Sequence, residues 1–383
     1  MQTAIPCLFM RGGTSKGPFF LESDLPADQQ TRDKVLLSVM GSPDKRQIDG
    51  LGGAHPLSSK VGIVRRSQTP GVDLDFLFAQ LQPDRDTVDT TPNCGNMLAA
   101  VVPFALECAL VQAQGDTSTY RVLTLNTGMQ CDVTVQTPPG ARGRYVEYAG
   151  DTHVDGVPTS GAPVSINFLD TAGSVASGLL PTAAVKNVLQ VPAQGDDPAF
   201  SLEVTCIDNG MPLVIFRATD VGRSGYESVA ELNADVDLKN RIERLRIVAG
   251  HAMGLGDVTA KNYPKMTLVA PPRAGGAITT RSFIPHVCHD AIGVLAAVTV
   301  ATACVLRGSV CEGLAVMPEG ASKAVSVEHP TGEFSVELET DPGNPQKVTK
   351  AALLRTARLL MQGQAMVPAA VWAGHCAAVQ GTT

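Results

Sequence analysis

Two segments of this 383-residue chain are apolar on nearly every side: CGNMLAAVVPFALECAL (94–110) and CHDAIGVLAAVTVATACVL (288–306). Their length predicts helices, and a helix without a polar face is buried rather than laid on a surface. The segments around them are short β-branched runs broken by Gly, Pro, Asn and Asp, which are typical of strands and hairpins. We therefore expect an α+β chain in which curved, mostly antiparallel sheets each enclose one central helix.

Landmarks around the two central helices repeat in the same order, which predicts an internal duplication. Each predicted helix carries a cysteine in its first turn, follows a Gly-rich strand end and precedes a Thr-Gly turn. The paired landmarks are Cys94 and Cys288, Gly12-Gly13 and NGMP (209–212), and NTG (126–128) and PTG (330–332).

The domain boundaries follow from where this pattern is interrupted. The stretch SGLLPT (177–182) precedes a looser segment. We expect an N-terminal domain over 1–178, completed by 355–383, and a C-terminal domain over 179–354. Apolar spacing predicts further helices, on the surface, at 26–41 and 228–249.

Charge and composition restrict the partners. The formal charge of -7 disfavours nucleic acid, and 4% aromatic residues provide few stacking platforms. The first residues lack a signal peptide, and the longest apolar run is too short to span a bilayer, so we expect no membrane partner. Nine cysteines without a C-x-x-C pair favour a reducing cytoplasm. A small anionic ligand fits this chain better than a polymer.

The segment MRGGTSKGPFF (10–20) brings a cation, bare backbone amides and hydroxyls together. Arg11 offers a two-pronged donor for a carboxylate, and Thr14 and Ser15 add hydroxyl donors. It is not a nucleotide-binding loop, because G-x-x-x-x-G-K-[ST] does not occur there. We interpret the segment as a turn that positions a small anion.

The segment TPNCGNM (91–97) opens the first predicted helix. Asn93 is a suitable N-cap, so Cys94 and Gly95 occupy a position where an anion or a thiolate is favoured. Asn96 adds an uncharged donor. A capped helix with a buried, inert thiol explains the same residues equally well, and the pattern alone leaves both interpretations open.

Lys60 follows a Gly-rich loop, in DGLGGAHPLSSKVGIV (49–64), at the entrance of an apolar strand. A lysine held at such an entrance is partly desolvated, which favours the neutral amine that a proton-transfer base requires. The plainer interpretation is an exposed lysine at a strand edge.

Metal and nucleotide chemistry are poorly supported by the motifs. His286, Cys288 and His289 have suitable zinc ligands, but no second cluster at metal-site spacing accompanies them. GLG (254–256) lacks the third glycine and the acidic residue of a dinucleotide site. We therefore expect neither a metal site nor a dinucleotide site.

Several motifs in combination resemble the PrpF family of isomerases, over about residue 4 to about residue 360. They are RGGTSKG (11–17), QIDGLGG (47–53), SSKV (58–61), NCGN (93–96), NTG (126–128), IDNGMP (207–212), RSFIPHVCH (281–289) and EHPTGEF (328–334). The resemblance is strongest to the branch that acts on 4-oxalomesaconate in gallate and protocatechuate catabolism. It implies the diaminopimelate epimerase-like fold, with two similar barrel-and-helix domains.

The resemblance also implies site residues. Lys60 and Cys94 would be the proton-transfer pair, with either of them as the base. The residues that would bind the substrate are Arg11, Thr14, Ser15, Ser59, Asn93, Gly95, Asn96, Asn126, Thr127, Arg281, Cys288 and His289. His289-Asp290 after Cys288 departs from the epimerase pattern, which argues against amino-acid epimerisation by a Cys94 and Cys288 pair.

The activity implied is a cofactor-independent tautomerisation or 1,3-allylic double-bond shift in 4-oxalomesaconate, a small polycarboxylate. The resemblance is also compatible with a homodimer. The alternatives are a 2-methylaconitate or methylitaconate isomerase, and a non-catalytic partner of a dehydratase. The choice between keto–enol and allylic products stays open.

Overall fold

The computed structural model describes residues 1–169, 171–320 and 322–375, with the backbone alone at 344–347. The chain packs as two compact units. Unit 1 comprises Met1–Leu169 and Arg355–Thr383, and unit 2 comprises Asp170–Leu354. Among the described residues, no helix has the length and apolar character needed to cross a membrane.

The secondary structure alternates short strands with few helices. The strands are β1 Gln2–Gly12, β2 Ser15–Leu21, β3 Lys60–Arg66, β4 Leu74–Leu81, β5 Val88–Asp89, β6 Thr117–Thr124, β7 Met129–Gln136, β8 Pro139–Gly140, β9 Gly143–Arg144, β10 Pro163–Phe168, β11 Asn187–Val191, β12 Phe200–Asp208, β13 Pro212–Arg217, β14 Lys265–Ala270, β15 Ile278–Phe283, β16 Ser322–His329, β17 Gly332–Asp341 and β18 Asn344–Pro368. The helices are α1 Gln29–Met40, α2 Gly95–Leu98, α3 Val101–Glu107, α4 Val229–Ala234, α5 Val236–Ala252 and α6 Val294–Val305. Short 3-10 turns lie at Glu22–Asp24, Pro56–Ser58 and Ala218–Val221.

Unit 1 is a closed barrel around α2 and α3. Its strands pair in the order β1-β2-β3-β4-β6-β7-β10-β18, and β18 pairs again with β1. The Phe19 ring lies 5.7 Å from that of Phe104 on α3, so aromatic packing joins the sheet to the enclosed helix. Helix α1 covers the outer face through Val35, Leu36 and Val39.

The first central helix is shorter than predicted. Over 94–110 the structure has two helices, α2 and α3, in place of one. The N–H groups of Ala99 and Ala100 donate to the carbonyls of Asn96 and Met97, an i→i−3 pattern that tightens the chain between them. Pro103 lies in the first turn of α3, where its missing N–H is tolerated. The prediction of one continuous helix was wrong, although its burial was correct.

Unit 2 arranges its strands in the order β11-β12-β13-β14-β15-β16-β17, followed by the first part of β18. Alternate residues of β13 face opposite sides of the sheet, as the pleat requires. Leu213 and Ile215 pack into the core that contains α6, and Val214 and Phe216 pack into the core that contains α5. Residues 296–304 of α6 are all buried. The central helix of this unit is therefore enclosed, as predicted.

The start of this second helix was predicted wrongly. Helix α6 begins at Val294 with Gly293 as its N-cap, and not at Cys288. Cys288 instead forms a β-bridge with Phe283. Apolar residues before Gly293 continue the helical pattern in the sequence, but tertiary pairing places them in an extended turn.

The strand pairing confirms the duplication. In unit 1, β1, β2, β3, β4, β6 and β7 pair successively as antiparallel, parallel, antiparallel, parallel, antiparallel. In unit 2, β12 to β17 pair in the same succession. The Gly-rich landmarks lie between β1 and β2 and between β12 and β13, and the Thr-Gly turns lie at β6–β7 and β16–β17. The two units share one topology.

Candidate active site

One end of the unit 1 barrel brings together predicted site residues of that unit. Since β1 and β2, β3 and β4, and β6 and β7 are antiparallel, while β2–β3 and β4–β6 are parallel, the starts of β2, β3 and β7 share this end with the ends of β1, β4 and β6. We call this end the unit 1 rim. Lys60 begins β3 there, and Ser15 begins β2.

The start of α2 also lies at this rim, because two turns hold it there. A methyl group on Gly12 would lie 2.1 Å from the Asn96 carbonyl oxygen, so only glycine allows the β1–β2 turn to approach the helix this closely. Asn96 Nδ2 donates to Thr14 Oγ1 at 2.9 Å, and Asn93 Nδ2 donates to Thr127 Oγ1 at 2.5 Å. The cysteine between these two asparagines is thereby fixed at the rim.

Cys94 is the N-cap residue of α2, with an extended backbone and no side-chain capping bond. Asn93 was predicted to be the cap, but its amide is directed to Thr127 instead. The thiol of Cys94 is half-buried and forms no hydrogen bond within the described residues. A helix of one turn aligns few peptide dipoles, so α2 contributes less to anion binding than the long helix predicted from the sequence.

Lys60 is 7% exposed. Its Nζ donates to Gln80 Oε1 at 2.5 Å and lies 4.9 Å from the centroid of the Phe78 ring. Within the described residues, no carboxylate forms an ion pair with this amine. A methyl group on Gly17 would lie 1.8 Å from the Lys60 carbonyl oxygen. The neighbouring strand therefore fixes the lysine backbone, and a neutral amide holds its side chain.

Ser15 has a buried hydroxyl without a partner. The residue is 1% exposed, and its Oγ has no hydrogen bond within the described residues. A buried hydroxyl left unsatisfied costs about 1–3 kcal/mol. The hydrogen-bonding capacity of this group at the unit 1 rim is therefore unused within the described residues.

Several predicted binding residues use their polar groups inside the protein. Ser59 Oγ lies 2.8 Å from both Gln47 Oε1 and the His55 carbonyl oxygen, and these two acceptors share its single proton. Asn126 Oδ1 accepts the N–H of Phe78, and Asn126 Nδ2 donates to the carbonyls of Phe78 and Thr90. These side chains position the rim rather than offering free donors to a substrate.

Arg11 also supports the turn that carries Ser15. Its NH1 donates to the carbonyls of Gly13 and Thr356 and to the Thr356 hydroxyl. Burial, together with the positive charge of Arg358, lowers the pKa of Arg11. One arm of the guanidinium predicted to bind a carboxylate is therefore already engaged.

The predicted site residues of unit 2 have different surroundings. Arg281 is buried, and it donates to the carbonyls of Glu227 and Thr280. Cys288 is 2% exposed, and burial raises the pKa of its thiol to about 11, although Arg281 opposes the shift. His289 is exposed, and its Nδ1 accepts the N–H of Ala291. Among the described residues, no group of three or more His, Cys, Asp or Glu side chains is arranged to hold a metal ion.

Sequence reasoning missed two polar residues. Gln80 contacts Lys60 through strand pairing, which no local motif reveals. Lys265 begins β14, the strand of unit 2 that corresponds to β3, so the duplication itself was a signal for it. Lys265 is half-buried without a hydrogen bond in the described part of the chain, and burial lowers the pKa of its amine.

Comparison with known proteins places these observations in a family. Residues 2–368 match the family described as PrpF protein. The chain is 53% identical to (4E)-oxalomesaconate Delta-isomerase of Novosphingobium sp. (strain KA1), covering 94% of this chain and 97% of that protein. It is 50% identical to 4-oxalomesaconate tautomerase of Pseudomonas putida (strain KT2440), covering 97% and 99%.

A solved structure shares the fold. The crystal structure of methylitaconate-delta-isomerase superposes with a TM-score of 0.82 at 33% identity, over 97% of both chains. The α+β architecture with two barrel-and-helix units is therefore the one expected from the sequence. By its sequence over nearly its whole length, and by its fold, this chain belongs to the PrpF family.

Proposed function

We propose that this protein is a cofactor-independent isomerase that shifts a proton within 4-oxalomesaconate, an unsaturated tricarboxylate. The observation that carries the proposal is the presence of two proton carriers, Lys60 and Cys94, at one barrel rim without a carboxylate partner among the described residues. The names of the two relatives at 53% and 50% identity point to this acid.

The reaction requires a base, an acid and a stabilised dienolate. The neutral amine of Lys60 removes a proton from the carbon next to the carbonyl, and the electron pair delocalises onto the carbonyl oxygen. The thiol of Cys94 returns a proton at another atom of the conjugated system. One bond to hydrogen breaks and one forms, so substrate and product are isomers and no co-reactant is consumed.

The reverse assignment, with a Cys94 thiolate as base and the Lys60 ammonium as acid, uses the same two groups. After turnover by the first assignment, transfer of one proton from the ammonium to the thiolate, through water, restores the starting state. After turnover by the reverse assignment, the proton passes from the thiol to the neutral amine. The proposal includes both assignments, and it includes tautomeric and allylic products, because each begins with the same dienolate.

Ser15 supplies the remaining element. Its unpartnered hydroxyl donates to the enolate oxygen or to a substrate carboxylate, which explains why the protein retains a buried polar group without a partner. One pre-positioned donor of this kind stabilises a developing oxyanion by about 2.7–4 kcal/mol. We place the enzyme in the cytoplasm, where a thiol that transfers protons remains reduced.

The test is turnover in D2O with 4-oxalomesaconate, 2-methylaconitate and methylitaconate as separate substrates, followed by NMR and ultraviolet absorbance. We expect isomerisation of 4-oxalomesaconate with deuterium incorporated at carbon. Preference for methylitaconate would support the alternative suggested by the solved relative. Binding of the acid without deuterium exchange would identify a non-catalytic partner and overturn the proposal.

A further inference from the structure

Gln80 is the side chain that contacts the amine of Lys60. The β3–β4 register places the two residues directly opposite each other, so their side chains lie on the same face of the sheet. Lys60 Nζ donates to Gln80 Oε1 at 2.5 Å. Neither a motif nor the resemblance assigns a role to this glutamine.

The orientation of the Gln80 amide is fixed by its other end. Its Nε2 donates to the backbone carbonyls of Pro56, Ser59 and Leu81 at 3.1, 3.1 and 2.9 Å. A flipped amide would direct its oxygen at three carbonyl oxygens, which is unfavourable. The oxygen therefore has to face Lys60.

The charge of this acceptor matters for a lysine that acts as a base. A carboxylate at hydrogen-bond distance favours the ammonium form and typically raises a pKa by about 1–3 units. A neutral amide accepts one N–H from either form of the amine and leaves the nitrogen lone pair available. Gln80 thus holds Lys60 in place without an ion pair.

The other titratable groups near Lys60 and Gln80 either have hydrogen bonds of their own or are exposed. Asp89 lies opposite Gln80 on β5, and its carboxylate accepts from the N–H and hydroxyl of Thr91. Lys16 on β2 is exposed, and the His55 ring accepts the N–H of Leu57. Gln80 therefore stands between the amine of Lys60 and the carboxylate of Asp89.

We propose that Gln80 is a positioning residue that fixes the Lys60 amine with a neutral acceptor and keeps it available as the general base. The inference rests on the proposed function and selects Lys60 as the base. It predicts that exchanging the amide for a carboxylate of the same shape alters the titration of the base as well as the rate.

The test is the pH profile of kcat/KM for 4-oxalomesaconate with wild type and Gln80→Glu. Because the base works when neutral, a raised pKa moves the acid limb to higher pH. We expect a shift of about one unit or more and a loss of about tenfold or more at pH 7 that is recovered at high pH. An acid limb that coincides with that of wild type would overturn the inference.

Two further variants separate this effect from a structural one. Gln80→Met removes the acceptor without adding charge, so we expect about a tenfold lower plateau and no upward shift of the acid limb. If Gln80→Glu fails to fold, a fully active Gln80→Met would still overturn the inference. Gln190→Glu, at an exposed position on β11, is the matched control and should leave the profile unchanged.

Failure of the proposed function is distinguishable from failure of this inference. Wild type that does not turn over 4-oxalomesaconate, or Lys60→Met that retains full turnover, would contradict the proposed function itself. An active wild type, an inactive Lys60→Met and an unshifted Gln80→Glu would contradict the role of Gln80 alone.

Discussion

The two units start from the same topology and differ in the residues at corresponding positions. At the unit 1 rim, Lys60 is held by Gln80, and Cys94 is half-buried at the start of α2. In unit 2, β14 also begins with a lysine, Lys265, but its amine has no hydrogen-bond partner in the described residues. The thiol of Cys288 is buried, and this residue precedes α6 rather than starting it.

The register explains the different lysine environments. Met266 lies opposite Phe283 in the β14–β15 ladder, so the residue beyond it, in the place of Gln80, is Ile284. An isoleucine accepts no hydrogen bond. The two units therefore share their strand positions, whereas the proton-transfer pair that we propose depends on particular polar residues of unit 1.

The cysteines give the largest expected contrast. Cys94→Ser should lower turnover of 4-oxalomesaconate by about 10³-fold, because a hydroxyl is a far weaker acid than a thiol and does not ionise near neutral pH to act as a base. Cys288→Ser should keep turnover within about threefold of wild type. Steady-state kinetics with circular dichroism as a folding control measures both. Equal losses in the two variants would revive the epimerase-like pairing of the two thiols.

Thiol reactivity offers a second contrast. The Cys288 pKa of about 11 leaves little thiolate at pH 8, and the residue is 2% exposed. We expect alkylation by iodoacetamide at pH 8 to be about 100-fold slower at Cys288 than at an ordinary exposed thiol. Raising the pH towards 11 should accelerate it, since the thiolate fraction rises. Peptide mass spectrometry follows each cysteine, and rapid labelling of Cys288 at pH 8 would contradict the burial described.

Lys265 should affect stability. Lys265 has a half-buried charge without a partner among the described residues, so Lys265→Met is expected to raise the free energy of unfolding by about 1 kcal/mol at pH 7. Because burial lowers the pKa of Lys265, the native protein binds fewer protons than the unfolded chain, and wild-type stability rises with pH. The advantage of the variant should therefore shrink towards pH 10. Urea unfolding at both pH values tests this, with the exposed Lys34→Met as the control.

Ser15 and Ser59, two serines of unit 1, give a small contrast in stability of opposite sign. Ser15→Ala removes a hydroxyl without a partner in the described part of the chain, so it should raise the free energy of unfolding by about 1 kcal/mol while lowering kcat/KM. Ser59→Ala removes a hydroxyl that hydrogen-bonds Gln47 and the His55 carbonyl, and it should lower stability by about 1 kcal/mol. Thermal unfolding compares them, and destabilisation of both would indicate that Ser15 has a structural partner.

Turn glycines and apolar composition, which are both local features of the sequence, made the architecture predictable. Gly128 and Gly332 have φ values of 74° and 151°, in the region that favours glycine, so the two Thr-Gly turns were recognisable from their sequence alone. The buried central helices followed from composition. The start of α6 could not be placed, because apolar residues in an extended turn and in a helix show the same pattern.

The site was predictable only in part. Motifs identified Lys60, Cys94 and Ser15 as candidates, and the structure places all three at the unit 1 rim, where their roles stay predictions. The occupied amide of Asn126 and the contact between Gln80 and Lys60 depend on strand register, which relates residues far apart in the chain. Motif spacing carries no information about such pairs.

The close approach of Gly17 to the Lys60 backbone has a consequence for how this protein can change. A single added methyl group at position 17 would collide with the main chain of the lysine, 1.8 Å from its carbonyl oxygen. Any substitution of Gly17, whether natural or engineered, is therefore disfavoured, although glycine has no side chain and no reactive group. Libraries aimed at new substrates should keep Gly17 fixed and vary the loops beyond it.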